Sequence, residues 1–327
     1  MSKLIGRLFN VGAGREVTRG TGRAPQYWLP RTELTFDEKV DLAKDESSIG
    51  VIENQQDADV VKSYGEGTLS GIINDDSFGL ILNATLGTSV TTGPTDSAYT
   101  HTYTVKQSAQ HQSLTLFASE PNAETTASLM FPLVMADSLE LNFEVGAYPT
   151  YSMSFMSNIG SATTTTVSYT APDNFKPQDG SVRIHTAYTG LDTGTAYSVS
   201  KASISISKNL EDDHNIGSVA VTDRLNKQFQ VSGSFEMVYN ARTNITELLA
   251  GSDRAMQLKF TNTAKTIGAS TNPSITINIA KIKLSEVARS LGNDDLVRQT
   301  VNFEGYYSIA DSKSVECIVV NDVASYV

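Results

Sequence analysis

One short module is written twice in this chain, and it constrains the fold more than any other feature. The first copy is GEGTLSG at 65–71, followed by NDDSFGLILNATLG at 74–87. The second is FQVSGSF at 229–235, followed by NARTNITELLAG at 240–251. Each copy reads as a strand that feeds a short helix. In the first, Asn74, Asp75 or Asp76 offers a capping oxygen to the unpaired N–H groups of a helix start. Phe78, Ile81 and Leu82 then share one apolar face, and Gly87 ends the helix. In the second, Asn240 or Thr243 takes the capping place, Ile245, Leu248 and Leu249 make the face, and Gly251 stops it. The copies lie about 165 residues apart, roughly half the chain.

The flanks repeat in the same order. Thr32–Leu42 and Ser48-Ile49-Gly50 precede the first module; Lys201–Ser207 and Asn215-Ile216-Gly217 precede the second. Ser138–Val145 and Tyr148–Met156 follow the first; Ile279–Val287 and Leu296–Ile309 follow the second. Strict alternation marks the strands. Leu139, Leu141, Phe143 and Val145 alternate with Glu140, Asn142 and Glu144. Val301, Phe303 and Tyr307 alternate with Thr300, Asn302 and Glu304. Period two with one polar side means sheets packed on one face and wet on the other. In a closed ring such a wet face would line a lumen.

The predicted class is therefore mainly β: two tandem β-sandwich or barrel domains, each with one short flanking helix and a long inter-strand loop. A chain of 327 residues suits two such units. The boundaries read as an arm at 1–31, a first domain at 32–174 and a second at 175–327. The stretch 157–180, rich in Ser, Thr, Pro and Gly, makes the linker, with 157–174 counted in the first domain. The arm holds Lys3, Arg7, Arg15, Arg19, Arg23 and Arg31 against Glu16, with glycines that make it flexible. The next segment, 32–76, carries twelve acids against Lys39, Lys44 and Lys62. Basic arm and acidic segment suggest a clasp between subunits; the plainer reading is a solvated face. The stretches 43–60 and 209–226 are too long for hairpin turns and read as functional loops.

A net charge of −11 disfavours tight phosphate binding. Cys317 stands alone and cannot form an internal disulfide. No secretory signal or membrane-length apolar run is evident, so the expectation is a soluble chain made in the cytoplasm.

Catalytic chemistry finds no support. His101, His111, His185 and His214 lack metal-site spacing. Gly65, Gly67 and Gly71 do not fit a phosphate loop and read as close backbone approach or a bulge within a strand. Gly12-Ala13-Gly14 is no better. Asp75-Asp76, Asp212-Asp213 and Asp294-Asp295 are adjacent pairs suited to caps and turns rather than to opposed acid–base work. Gln26-Tyr27-Trp28-Leu29-Pro30 reads as a packing anchor. No catalytic, cofactor or metal residue is assigned, and no cofactor is expected.

The order Arg19-Gly20-Thr21, Tyr27-Trp28-Leu29-Pro30, Glu46-Ser47-Ser48-Ile49-Gly50, Gly65 to Gly71, Phe78 to Leu82, Leu86-Gly87 and Tyr99-Thr100-His101-Thr102-Tyr103 resembles the tail tube proteins of long-tailed, non-contractile bacteriophages. The likeness is densest over 16–120 and looser from about 176. It implies a structural virion protein, not an enzyme, whose sheets join between subunits into stacked rings. Genome DNA would pass through the tube without tight binding. Further implied partners are the tape measure, tail terminator and distal tail proteins, and the implied location is the virion tail. Single-domain relatives of this kind form six-membered rings, so two copies in one chain imply a homotrimer with pseudo-six-fold symmetry. A hexamer with an external second half is the rival. On this reading 43–60 and 209–226 contact stacked rings. The alternative function is a two-domain β-sandwich adhesin, which would stay in small oligomers.

Overall fold

The computed structural model describes residues 5–54, 56–119 and 128–326. Its first half runs β1 (Asn10–Arg15), β2 (Tyr27–Trp28), β3 (Arg31–Asp45), β4 (Asp57–Ile72), α1 (Phe78–Leu86), β5 (Gly87–Thr95), β6 (Ala98–Val105), β7 (Leu114–Ser119), β8 (Leu129–Glu144), β9 (Thr150–Ser157) and β10 (Ser161–Ala162). The second runs β11 (Gly180–His185), β12 (Ala196–Tyr197), β13 (Val199–Ser207), β14 (Leu210–Asp213), β15 (Asp223–Asn226), β16 (Gln230–Val238), α2 (Thr243–Ala250), β17 (Arg254–Thr261), β18 (Ser274–Ser290), β19 (Arg298–Tyr306) and β20 (Val315–Asn321). The protein is mainly β, as the alternation predicts.

All the main ladders are antiparallel. A front sheet of eight strands runs β3-β4-β9-β8-β13-β16-β19-β18, so one four-strand order, β3-β4-β9-β8, is followed by a second, β13-β16-β19-β18. Behind it lie β2-β1-β7-β8-β10 and β12-β11-β17-β18-β20. The long strands β8 and β18 serve both layers: their first halves pair in the back and their second halves in the front. The β5–β6 hairpin extends the second back sheet by pairing β6 with β20.

Local details recur between the two runs. Both long strands carry a register shift where they turn into the front sheet, between Ala136 and Ser138 and between Leu284 and Glu286. An extra residue at such a point bends a strand and sharpens its twist. Gly67 faces Phe36 across one ladder and Phe155 across the next; Gly233 faces Ile204 and Phe303. A Cβ on Gly67 would stand 2.2 Å from the Thr35 carbonyl oxygen and 3.0 Å from the Phe155 ring. On Gly233 it would stand 2.3 Å from the Ser203 oxygen and 2.5 Å from the Phe303 ring. Each glycine lets an aromatic ring lie flat on the strand. Of Gly65, Gly67 and Gly71, only Gly67 meets a neighbouring backbone closely; Gly65 makes room for Ser157 and Phe36, and Gly71 for the Tyr151 ring.

The two helices differ in burial. Every residue of α1 is buried, under Tyr103 and the C-terminal Tyr326, because Phe78-Gly79-Leu80-Ile81-Leu82 is apolar on all sides. Asn74 Oδ1 accepts from the N–H groups of Asp76 and Ser77 at 3.1 and 2.8 Å, shaping the turn ahead of the helix. Ser77 is the residue at the cap itself, and its side chain makes no cap bond. Arg242 rather than Asn240 or Thr243 precedes α2. Gly87 (φ 84°) and Gly251 (φ 60°) end the helices in the left-handed conformation. The α2 helix lies on the surface, with Leu249 75 % exposed.

Two expectations are corrected. Among the described residues, the predicted flexible arm is folded in: β1 pairs with β7 along six residues, and Val11, Ala13 and Leu29 are buried. Arg19 reaches across the chain to Asp223 Oδ1 (3.0 Å through Nε) and the Arg224 carbonyl (2.7 Å), so this basic segment clasps its own second half. The stretch 43–60 is no structureless loop either. The β3–β4 ladder continues to Asp45 and Asp57, and only the tip between them is irregular. In the second half the matching hairpin breaks at Lys208 and Asn209 (φ 50°), and its outer part, β14–β15, folds back onto β4. There Lys62 pairs with Asp212 at 2.7 Å, and the Ser63 N–H donates to the Val219 carbonyl at 2.9 Å.

Candidate assembly and conduit surface

Pairing register decides what the front sheet shows to solvent, because residues opposite each other in a ladder share a face. Gly67 and Gly233 sit on the packed face with Phe36, Phe155 and Phe303. Their neighbours on the other face are Thr35, Thr68, Ser154 and Ser138 in the first run, and Ser207, Ser203, Ser234, Asn302 and Glu286 in the second. The solvent face is thus laid with hydroxyls. Several bridge strands: Ser70 to Ser152 (3.0 Å), Ser138 to Ser154 (2.6 Å) and Ser203 to Ser234 (2.9 Å).

Its charges are mostly acidic. Glu33, Asp37, Glu66, Glu140 and Glu144 lie on this face in the first run with Lys39 as cation. Glu236, Glu286 and Glu304 lie on it in the second with Lys201, Lys281, Lys283 and Arg298. Arg298 is held by Glu236 at 3.1 Å and Lys201 by Glu144 at 3.7 Å, while Lys39 is bonded to Glu66. Eight carboxylates against five cations leave a polar, negative sheet face that repels phosphate.

Both ends of this sheet are open. Among the described residues, β3 pairs with β4 alone, and residues 286–290 of β18 pair with β19 alone. Open edges carry unpaired N–H and C=O groups that template another strand. At the rim, the β3–β4 hairpin ends in exposed Ile49 (62 %) and Ile52 (103 %), and the folded-back hairpin ends in Ile216 (109 %). Gly50 and Gly217, with positive φ, follow Ile49 and Ile216 in both tips.

The titratable residues singled out in the sequence scatter and do not converge. His101 is buried, bonded to Asn321 and Val323, and burial lowers its pKa. The His111 Nε2–H donates to the Lys106 carbonyl at 2.9 Å, and burial, then nearby Lys208, pull its pKa down to about 4. His185 and His214 bond to local carbonyls. Asp75 is 2 % exposed and takes Lys265 from the second half at 2.8 Å; burial raises its pKa despite that partner. Asp212 goes to Arg224 (3.0 Å) and Lys62, away from Asp213. Asp294 and Asp295 lie in an exposed turn. Cys317 is buried, which pushes its thiol pKa up. Trp28 packs over Gly12 and against Tyr169 as an anchor. No group of three or more His, Cys, Asp or Glu among the described residues is placed to hold a metal. What sequence reading missed is the buried Arg224, which donates to the Ser157 carbonyl (2.8 Å) and Asn158 Oδ1 (3.0 Å) and locks the halves together. No local pattern around it announces that role.

The arrangement is that of an assembly surface: a hydroxyl-rich acidic face between two unpaired edges. One family model, described as phage tail tube protein, matches residues 6–305. The chain belongs to the phage tail tube protein family. A single match spans both runs of strands, so the front sheet lies within family territory apart from its last residue, Tyr306. No curated protein matches the chain. The family assigns a structural component of the phage tail that associates with itself into a tube. No described helix is long and apolar enough to cross a membrane.

Proposed function

We propose that this protein builds the tail tube of a long-tailed, non-contractile phage as stacked rings of three chains, through which genome DNA is ejected. The observation that carries the reading is the eight-stranded sheet itself, acidic and hydroxyl-lined on one face and unpaired at both ends. A heterologous contact that joins one end to the other closes into a ring.

The chain holds two copies of one tail tube domain, divided near residue 175; because β1 and β2 match β11 and β12, the first copy takes in the stretch ahead of residue 32 and the second is 175–327. Matching pairs β1/β11, β2/β12, β3/β13, β4/β16, α1/α2, β7/β17, β8/β18, β9/β19 and β10/β20 occur in the same chain order, which supports duplication. Three chains then place six similar units around the axis. At ~4.8 Å per strand, three copies of eight strands give a circumference of about 115 Å and a backbone diameter of about 37 Å, before widening by strand tilt. Side chains reaching ~5 Å inward leave about 27 Å, a bore on the scale of a nucleic-acid duplex. Six chains joined in the same way would give about 73 Å across the backbone, far wider than such a conduit needs. The acidic lining keeps DNA hydrated and unbound.

The exposed tips around Ile52 and Ile216 contact the next ring in the stack. Tape measure, terminator and distal tail proteins are the further partners, and the assembled protein resides in the virion tail after synthesis in the host cytoplasm. End-on electron microscopy with native mass measurement tests the reading. Stacked rings of three chains with six lobes are expected. Rings of six chains overturn the trimer, and particles that never stack at any salt or concentration overturn the tube and favour a small-oligomer adhesin.

A further inference from the structure

The chain carries an internal seam of the kind its two open edges lack. Strand β8, last of the first run, pairs with β13, first of the second, from Ser138↔Ser207 to Glu144↔Lys201. On the packed side of that seam Leu139, Leu141 and Phe143 meet Ile206, Ile204 and Ala202, all buried. The correspondence between runs can be carried residue by residue. Phe36 and Ile204 both face a glycine, Gly67 and Gly233, in the adjoining ladder. Ser138 and Glu286 both directly follow the register shift, and each is paired to a residue on the solvent face, Ser154 and Asn302. Hence β3 stands where β13 stands, offset by 168 residues, and the end of β18 stands where the end of β8 stands, offset by 148.

We propose that residues 33–39 of one chain pair antiparallel with residues 286–292 of a second copy, in the register Lys39↔Glu286, Asp37↔Ala288, Thr35↔Ser290 and Glu33↔Gly292. This deepens the ring reading above and rests on it. Three features of the open edges fit the register. Lys39 and Glu286, of opposite charge, stand opposite each other on the solvent face. On the packed face Leu34, half-buried, meets Leu291, which is 68 % exposed in the single chain. Beyond the internal seam, Lys208 follows β13 and donates to the Ala84 carbonyl in the last turn of α1 (2.8 Å). At the matching place after Lys39 stands Val40, 51 % exposed, and the last turn of α2 presents Leu249, 75 % exposed. The seam covers both.

The test places cysteines at Thr35 and Ser290, both exposed and polar, in the full chain; Cys317 is buried and stays out of the reaction. Opposite cross-strand positions bring Cβ atoms within reach of a disulfide, whereas positions two residues out of register do not. Mild oxidation of assembled T35C/S290C tubes is expected to convert most chains into covalent multimers, and D37C/S290C tubes at least tenfold fewer. Tubes in which D37C/S290C links better, or in which neither pair links, overturn the seam while leaving the tube standing. A chain that forms no rings even without cysteines overturns the ring reading itself. A cysteine-free readout guards against a variant that folds poorly. K39E and E286K are each expected to raise the concentration needed for assembly, and K39E/E286K to bring it back; a double variant no better than the singles overturns the register.

Discussion

Gly67 and Gly233 show how much of the front sheet hangs on single atoms. Each is the one residue type that lets Phe155 or Phe303 lie against the strand without striking a neighbouring carbonyl. Alanine at either site must push backbone apart inside a packed ladder, so Gly233→Ala is expected to cost about 1–3 kcal/mol in chemical denaturation of the unassembled chain. The titrating residues act on stability in a definable direction. His111, held near 4 by burial, stays neutral in the fold while the unfolded chain takes up a proton near 6.5, so stability falls as pH drops through that window. Lys208 is driven down to about 7 by burial and then by Arg19, against 10.5 when unfolded. Stability therefore rises from about pH 7 upward, as the folded lysine gives up its proton before the unfolded one does. Thermal unfolding between pH 4 and 9 should show both limbs. His111→Gln is expected to flatten the acid limb, and Lys208→Met the alkaline one.

At the scale of elements, Thr32–Leu42 and Gly65–Gly71 were each legible as strands, but not as one continuous ribbon. The residues past Leu42 lose strict alternation because the ribbon has left the core, and no buried face remains to impose period two. Nor could sequence say that the second hairpin bends back, since the bend depends on Lys208 finding the Ala84 carbonyl and Arg224 finding Ser157 far along the chain. If the straight hairpin serves stacking, its tip is separable from folding. Replacing residues 46–56 by Asn-Gly between the paired Asp45 and Asp57 should close a two-residue turn. The expected outcome is unchanged stability within about 0.5 kcal/mol, with rings that no longer stack in electron micrographs. The helices repeat the lesson: their glycine stops were readable, whereas the depth of α1 was set by Tyr326 arriving from the other end of the chain.

At the scale of the whole molecule, the proposed bore predicts a charge effect without an assembly effect. Glu140→Lys with Glu304→Lys reverses two carboxylates on the solvent face of the sheet, away from both open edges. Tubes should look unchanged end-on, while genome release from particles carrying them slows several-fold at low salt and recovers as salt screens the added cations. The same acidic face explains why motif searching met no site. On the proposed reading the surface acts through a repeated pattern of hydroxyls and carboxylates, and no single residue in it needs a special neighbour. By itself the sequence determined the β class, the strand faces and the glycine stops of the two helices, because those follow from local periodicity and from glycine's backbone freedom. Only the tertiary structure decided that the basic N-terminal stretch folds inward, that β8 joins β13 into one sheet, and which two edges stay open. These rest on pairings between residues far apart in the chain, whose partners no local pattern names.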